Sequence, residues 1–229
     1  MSLATFSSSL DAQGFHFTLS TTVNVSSRDI HDRCTFHLLL ELDPHVYADQ
    51  YELTQRPDYT SLVWGDPDLE RPVSAVHPNG SVLLVTTHKH LTPRGLATNF
   101  TLDVPLHARY GRPTETSRAA FHRITLEHPI GFFACVDDSK SSRRPVVVPE
   151  LLKPYASYPG WPPLPLFLVK DSSPNEQLQL VIPVGLREDL AWVDVGTAIT
   201  MTVMFFYLLF ASIRTARRLA GNKLHAKTE

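Results

Sequence analysis

The sequence predicts an all-β fold, an antiparallel β-sandwich, followed by one C-terminal transmembrane helix. Two observations predict it. Between residues 15 and 184, apolar and polar residues alternate in many short runs, which is the period of half-buried β-strands. Near the end, nineteen residues in succession, 195–213, carry no charged side chain. A helix of that length, at about 1.5 Å per residue, just crosses a hydrocarbon core of roughly 30 Å.

The charges that flank residues 195–213 predict their direction in the membrane. Basic residues follow the run, namely Arg214, Arg217, Arg218, Lys223 and Lys227, whereas Glu188, Asp189 and Asp194 precede it. By the positive-inside rule the C-terminus is cytoplasmic. We therefore expect a lumenal β-sandwich domain at 1–190, a transmembrane helix with its juxtamembrane approach at 191–213, and a short basic cytoplasmic tail at 214–229.

The N-terminal residues and the sequons bear on this topology. Residues 1–14 have neither a basic n-region nor a long apolar stretch, so they lack the pattern of a signal peptide. Either the natural chain starts earlier, or the protein inserts from its C-terminal end and keeps its large domain in the cytosol.

Three N-x-[ST] sequons, at Asn24, Asn79 and Asn99, all precede the span and favour glycosylation in the lumen. Asn79-Gly80 is also a typical hairpin-turn dipeptide, which explains that sequon without a glycan.

Strand signals recur throughout the sandwich region. Residues 15–25 alternate strictly, and residues 34–42 repeat the pattern until Asp43-Pro44 ends the strand. Further strands are predicted at 81–87, 98–110, 121–127, 130–136, 145–148, 164–169 and 178–184. Proline-rich residues 56–80 and 153–165 are predicted as loops, the second of them extended. Eight to ten short strands without a sustained helical period indicate a sandwich.

Two cysteines, Cys34 and Cys135, stand about a hundred residues apart. In an oxidising lumen they could pair, which would stabilise the fold by up to roughly 4.7 kcal/mol on the chain-entropy model. Two unpaired buried thiols are an equal alternative, because the sequence does not show whether the Cα atoms approach each other. The spacing fits no zinc or redox motif.

Composition and motifs argue against several function classes. A net charge of −2 gives no support for nucleic-acid binding. No serine-hydrolase elbow, H-E-x-x-H or C-x-x-C motif is present, and the chain has only 10 glycines for phosphate-binding loops. Two pairs have metal-binding chemistry, Asp66 with Asp68 and His88 with His90. The first pair flanks a proline in a common turn pattern and the second ends a strand, so we predict no catalytic, cofactor-binding or metal-ligating residue.

Three stretches taken together resemble the PIG-X family, the non-catalytic subunit of glycosylphosphatidylinositol (GPI) mannosyltransferase I. They are residues 46–53 (VYADQYEL), 105–113 (PLHARYGRP) and 180–186 (LVIPVGL). Their order and their spacing to the terminal helix also match, so the resemblance covers about residues 15–213. The family pattern includes an N-terminal signal sequence, from which residues 1–14 depart.

The resemblance implies a type I glycoprotein of the endoplasmic reticulum membrane that binds and stabilises PIG-M, the multi-span catalytic subunit. That complex is expected to transfer the first mannose from dolichol-phosphate-mannose to glucosaminyl-acyl-phosphatidylinositol. One helix cannot build an intramembrane site for two lipid-linked substrates, so another chain has to supply it. A single-span cell-surface adhesion or receptor module with a β-sandwich ectodomain is the alternative class.

Two of the family stretches supply candidate partner contacts. His107, Arg109 and Arg112 either contact a partner or cover the edge of the sheet. Pro183 and Gly185 either dock on the catalytic subunit or form a rigid last strand that sets the angle between the domain and the membrane.

Overall fold

The computed structural model describes residues 4–25, 34–66, 68–88, 98–115, 120–136 and 148–225. In this part of the chain the strands are β1 (Ala4–Gln13), β2 (His16–Val25), β3 (Cys34–Leu42), β4 (Val46–Tyr47), β5 (Tyr59–Trp64), β6 (Ser81–Thr87), β7 (Thr98–Ala108), β8 (Phe121–Leu126), β9 (Ile130–Cys135), β10 (Leu166–Leu168), β11 (Lys170–Asp171) and β12 (Leu178–Pro183). The α-helices are α1 (Gln50–Thr54) and α2 (Leu190–His225), and 3₁₀ helices lie at Val73–Ala75, Glu150–Tyr155 and Arg187–Asp189.

Two five-stranded sheets form the framework. The first has the order β11-β1-β2-β7-β4 and the second β10-β9-β3-β6-β5. The strand pairs described are antiparallel except β1 with β11, which run parallel and place Thr5 opposite Lys170. A separate two-stranded sheet pairs β8 with β12. The predicted, mostly antiparallel β-sandwich followed by one long C-terminal helix is confirmed.

The main core lies between the inner faces of the two large sheets. Alternate residues of β2 are buried there: Phe17, Leu19, Thr21, Val23 and Val25. The matching residues of β3 are Cys34, Phe36, Leu38, Leu40 and Leu42. Phe36 meets Phe100 of the opposite sheet edge to face, with 5.6 Å between the ring centroids. Inner residues of β8 and β12 join the same cluster. The alternation predicted for residues 15–25 and 34–42 is thus confirmed.

Strand β1 was not predicted, because a polar residue interrupts its buried face. Ala4 and Phe6 are buried, but the next inward position is Ser8. Its hydroxyl lies 2.8 Å from the hydroxyl of Thr21, so the two buried groups satisfy each other. β1 turns into β2 at Gly14, whose φ of +68° suits the first central position of a type II′ hairpin turn.

Residues 148–165 correct the predicted extended loop. They form the 3₁₀ helix Glu150–Tyr155 and several turns, which together cover the outer face of the second sheet. Leu152 and Trp161 pack there against Leu39 and Phe132. The apolar and aromatic residues between the prolines make this packing. In an extended, solvated loop these side chains would stay exposed to water. The central strands of the second sheet, β3, β6 and β9, are therefore covered on both faces.

Residues 56–80 also contain more structure than predicted. β5 (Tyr59–Trp64) lies within them and pairs with β6. Asn79-Gly80 does not form a two-residue hairpin. The backbone N–H of Gly80 donates to the carbonyl of His77 at 2.9 Å, so the turn runs over residues 77–80. Of the predicted strand 145–148, residues 145–147 lie outside the described part of the chain.

Cys34 and Cys135 form a disulfide between β3 and β9. They stand directly opposite each other in the register of the two strands. The backbone N–H of Cys135 donates to the carbonyl of Pro165, away from β3, so the cysteines form a non-hydrogen-bonded pair. Facing Cα atoms come closest at such pairs, and here they are 4.0 Å apart. The bond ties together strands whose cysteines are 101 residues apart in the chain.

The chain divides into two compact units, one of residues 1–112 with 121–184 and the other of residues 113–120 with 185–229. In the second unit, Thr114 bridges Leu186 in parallel orientation. Its N–H donates to Gly185 and its carbonyl accepts from the N–H of Arg187, both at 2.9 Å. Helix α2 follows and includes residues 195–213. The stretch Arg187–Leu219 is long and apolar enough to cross a membrane.

We expect Gly80→Ala to destabilise the protein strongly. Gly80 has φ of +66°, and a Cβ placed there would lie 1.8 Å from the carbonyl oxygen of Leu42. Left-handed strain and overpacking together should cost roughly 3 kcal/mol, which is about 6–12 °C in thermal midpoint. Gly14→Ala is the matched control, because Gly14 has φ of +68° but nothing within 4 Å of its Cβ position. Equal midpoint shifts in detergent-solubilised protein would contradict this account.

His37 makes the stability of the second sheet dependent on pH. The residue is buried on β3, where its Nδ1 lies 2.9 Å from the Thr86 hydroxyl and its ring stacks on Phe132. Burial disfavours the charged imidazolium and lowers the pKa of His37 from 6.5 to about 4. The unfolded chain therefore binds a proton at His37 before the folded chain does.

The contribution of His37 to the free energy of unfolding should be complete above pH 6.5 and should be lost as the pH falls towards 4. The expected slope is at most about 1.4 kcal/mol per pH unit. His37→Gln keeps a hydrogen-bonding group near Thr86 and removes the titration, so its unfolding free energy should fall less steeply over this interval. Parallel pH profiles for the two proteins, measured by urea unfolding, would refute the assignment.

Candidate partner-docking site

The family stretches come together at one end of the sandwich. Residues 46–53 form β4 and most of α1, and residues 105–113 form the end of β7 and the chain beyond it. β4 pairs with β7, with Val46 opposite Ala108 and Tyr47 opposite His107. Residues 180–184 lie on β12 and just after it. A Cβ placed on Gly111 would lie 3.0 Å from Cγ1 of Val184, so the second and third stretches are also in contact.

Helix α1 positions a carboxylate against the end of β7. Asp49 caps the helix, because its Oδ1 accepts the backbone N–H of Tyr51 at 2.8 Å and, more weakly, that of Glu52 at 3.4 Å. The capped turn holds the Glu52 carboxylate 2.8 Å from Nε2 of His107. Arg56, one turn later, donates to the other oxygen of Glu52 at 3.3 Å. Glu52 thus links the helix to the sheet.

His107 is largely enclosed by neighbouring rings. Its side chain is 12% exposed, its ring stacks on Tyr47 at 5.1 Å, and His16 meets it edge to face at 4.5 Å. Together with the contact to Glu52, these rings fix the imidazole in place. The structure therefore gives His107 a packing role at the junction of β2, β4 and β7.

Arg109 is buried and engaged within the domain. Only 4% of the residue is exposed. Its Nη1 donates to the carbonyl of Arg71 at 2.8 Å and to that of Leu69 at 3.4 Å, and the guanidinium carbon lies 4.7 Å from the centre of the Tyr47 ring. Burial lowers the pKa of Arg109 below its usual value, although the Tyr47 hydroxyl and Asp66 act in the opposite direction. Arg109 therefore holds the loop after β5 against the first sheet.

The acid pair with metal-binding chemistry is engaged by an arginine of its own loop. Asp66 and Asp68 both bind Arg71, at 2.5 Å and 3.2 Å respectively. Each carboxylate thus has a cation from its own loop. His88 is exposed at the end of β6, and His90 lies outside the described residues. Among the described residues, no group of three or more His, Cys, Asp or Glu side chains could hold a metal ion.

The remaining candidate contacts lie on the outside. Arg112, Pro183 and Gly185 are exposed. Pro183 stands opposite Phe121 in the register of β12 and β8. Within the second unit, the Gly185 carbonyl accepts the N–H of Thr114.

Around Pro183 the domain exposes a set of large side chains, which we call the junction surface. It consists of Tyr110, Arg112, Phe121, Val181 and Pro183. Tyr110 and Phe121 are 77% and 67% exposed. Sequence patterns alone did not indicate this surface, because the residues that meet across β8 and β12 are set by the pairing register of the two strands. A cleft of about 430 Å³ adjoins it, with Phe15, His16, Tyr47, Arg71, His107 and Tyr110 among its lining residues.

Histidine residues also meet near this junction. The rings of His45 and His122 are 4.5 Å apart, and Nδ1 of His45 lies 2.7 Å from the Asp43 carboxylate. Burial and the neighbouring His45 lower the pKa of His122, while Asp43 acts in the opposite direction. His45, Glu52 and His122 were not among the predicted site residues. The pattern Asp49-x-x-Glu52, a capping-box signature, could have pointed to Glu52.

The sequon asparagines occupy two different surfaces. Asn24 and Asn99 stand opposite each other on β2 and β7, on the outer face of the first sheet. Asn99 is exposed and Asn24 is half-buried, while Ser26 of the first sequon lies outside the described residues. Asn79 is exposed in the turn that precedes β6.

The fold and the site define a β-sandwich protein that has, within its described residues, one helix of membrane-spanning length, at the C-terminal end. The sequence model of the family described as PIG-X / PBN1 matches residues 12–213. The chain therefore belongs to the PIG-X/PBN1 family, which takes part in GPI-anchor biosynthesis. The resemblance found in the three stretches is confirmed.

Individual proteins match the chain less extensively. Protein pbn1 of Aspergillus fumigatus is 31% identical over 111 residues, which is 44% of this chain and 22% of that protein. The crystal structure of BcpA, the major pilin subunit of Bacillus cereus, is also similar. The match covers 78% of this chain and 40% of the BcpA chain, with 9% sequence identity. The TM-score for BcpA is 0.36, which is too low to indicate a shared fold.

We expect Arg109→Met to loosen the loop after β5. The change removes two donated hydrogen bonds from a charged group and the contact with Tyr47, worth about 2–3 kcal/mol together. Amide hydrogen exchange of residues 65–72 should accelerate accordingly. Arg112→Met is the matched control, and because Arg112 is exposed its effect should stay within about 0.5 kcal/mol. Unchanged exchange in Arg109→Met would show that the buried guanidinium does not hold the loop.

Proposed function

We propose that this chain is the stabilising, non-catalytic subunit of GPI mannosyltransferase I. It supports PIG-M in the transfer of the first mannose from dolichol-phosphate-mannose to glucosaminyl-acyl-phosphatidylinositol. It resides in the endoplasmic reticulum membrane, with the β domain in the lumen and the C-terminus in the cytoplasm. Membership of the PIG-X/PBN1 family supports the proposal. The observation that carries it is the meeting of the three family stretches beside the junction surface.

The distribution of polar groups at this end favours binding over chemistry. Glu52 contacts His107, Arg109 donates to loop carbonyls, and Arg71 binds Asp66 and Asp68. These groups stabilise the domain itself. The junction surface presents two aromatic side chains and a guanidinium group, which are types enriched at the centres of protein interfaces.

Helix α2 offers a second region for association. Its apolar residues are exposed along the helix, and Gly196 and Thr200 are one turn apart on the same side. The Thr200 hydroxyl donates to the Gly196 carbonyl at 2.8 Å, so its polarity is satisfied within the helix. Small residues at such spacing let helix backbones approach in lipid, where polar and van der Waals contacts drive packing.

The charge pattern supports the proposed orientation. Arg214, Arg217 and Arg218 follow the apolar run, and on α2 they share one side of the helix. Asp194 and the acids of the 3₁₀ helix before α2 lie at the opposite end. Exposed Asn79 and Asn99 are accessible for glycans on the side of the β domain.

We expect the junction surface to be required for binding PIG-M. In cells that express both full-length chains, Phe121→Ser should reduce co-purified PIG-M at least about tenfold, because an interface anchor contributes more than roughly 1.4 kcal/mol. The total amount of PIG-M should fall with it. Phe167→Ser is the matched control, an exposed phenylalanine on β10, and should leave co-purification unchanged. Equal recovery with both variants would exclude the junction surface as the docking site.

A second variant, expressed in the same cells, distinguishes an accessory role of this chain from a catalytic one. Asp66→Asn combined with Asp68→Asn keeps the shape of the pair and removes both charges. Mannosyl transfer by the assembled complex should stay within about twofold, because both carboxylates bind Arg71 of their own loop and are proposed to take no part in the chemistry. Loss of transfer in a complex that still assembles would replace the accessory role with a catalytic one.

A further inference from the structure

A wide groove of about 920 Å³ lies beside β5 and β6, and none of the residues of the junction surface line it. Trp64 and Tyr158 form an aromatic wall, with ring centroids 5.0 Å apart and planes inclined at 53°. Several polar side chains also line the groove: Asp66, Arg71, Ser74, His77 and Asn79. The volume lies within the range of ligand-binding cavities, which is about 300–1,000 Å³.

This combination of groups suits a carbohydrate. A pyranose ring has a face of electropositive C–H groups, which matches the negative face of an aromatic ring, and a rim of hydroxyls that bind polar side chains. The wall is fixed, because the indole N–H of Trp64 donates to the carbonyl of Pro159 at 3.1 Å. The ion pair of Arg71 with Asp66 likewise fixes polar groups in the groove. A preformed site of this kind loses little entropy when it binds a sugar.

The groove also holds a point at which a sugar can be attached. Asn79 lines it, is exposed, and begins the sequon Asn79-Gly80-Ser81. The turn of residues 77–80 places this asparagine, since Gly80 donates to His77 and has no room for a side chain beside Leu42. A glycan on Asn79 therefore starts within the groove. Its tether keeps the local sugar concentration in the millimolar range, so weak contacts suffice for occupancy.

We propose that the groove is the binding site for the N-glycan of Asn79, whose first N-acetylglucosamine residues pack on Trp64 and Tyr158. This inference rests on the lumenal placement in the proposed function. Asn24 and Asn99 provide a contrast, because they stand opposite each other on the outer face of the first sheet, beside the hydroxyls of Thr22 and Thr101. A glycan there meets hydroxyl groups in place of an aromatic wall.

The test compares how fast endoglycosidase H releases single glycans from native, full-length protein. One form keeps only Asn79 (Asn24→Gln with Asn99→Gln), and the other keeps only Asn99 (Asn24→Gln with Asn79→Gln). The enzyme cuts between the two core N-acetylglucosamine residues, so packing of that core should slow release at Asn79. We expect about a tenfold slower rate at Asn79 than at Asn99, and equal rates after denaturation, since a tenfold protection needs only modest binding.

Two variants of the Asn79-only form show whether the groove causes the protection. Tyr158→Ser removes half of the aromatic wall, and Ser74→Arg fills the groove from an exposed position without disturbing the core. Both should raise the native rate to that of Asn99. Thermal midpoints close to that of the parent form, with Cys34 and Cys135 resistant to alkylation before reduction, verify that each variant has folded.

The outcomes separate this inference from the proposed topology. Equal native rates at Asn79 and Asn99 would overturn the inference, as would protection that persists in both groove variants. An unmodified Asn79 beside glycosylated Asn99 would also overturn it and leave the lumenal placement standing. Glycans on none of the three sequons would overturn the lumenal placement together with the inference.

Discussion

The contact on which the rest of the structure depends is the packing of Phe36 between the two large sheets. Its ring meets Phe100 of the first sheet at 5.6 Å and Phe133 of its own sheet at 5.3 Å, both edge to face. Gly131 makes room for it, because a Cβ at that position would lie 3.0 Å from the ring of Phe6 and 3.3 Å from that of Phe36. By fixing β3 against β7, this packing sets the position of the strand whose end carries His107 and Arg109.

Much of the fold could be predicted from local pattern, and its exceptions have physical causes. β2 and β3 show clear alternation because each has one face towards the main core. The alternation of β1 is interrupted at Ser8, which is polar but buried. Its hydroxyl is hydrogen-bonded to Thr21, a partner thirteen residues away, so local pattern does not predict its burial. Residues 153–165 were predicted as an extended loop because they are rich in proline, yet they belong to the layer that covers the second sheet. Leu39, between the inward-facing Leu38 and Leu40, was the available sign that β3 is buried on its second face as well.

The candidate site was predictable as a set of stretches but not as an arrangement of side chains. The sequence singled out residues 105–113, yet the roles of its members depend on pairing with β4 and on the capped turn of α1. Arg109 is buried because the carbonyls of Leu69 and Arg71 and the ring of Tyr47 surround it. Arg112, three residues later, is exposed. Two arginines of one motif thus have different roles, one buried within the domain and one exposed at its surface, and only tertiary structure distinguishes them.

The parallel pair of β1 with β11 determines when the domain can fold during synthesis. Thr5 is made well before its partner Lys170, which is made only shortly before helix α2. Until then the hairpin of β1 and β2 has an open outer edge, which is a template for unwanted strand pairing. Pairing between such distant segments is also slow. The outer edge of β1 therefore stays open to unwanted pairing until β11 has been made, and a truncation before residue 170 would leave that edge permanently exposed.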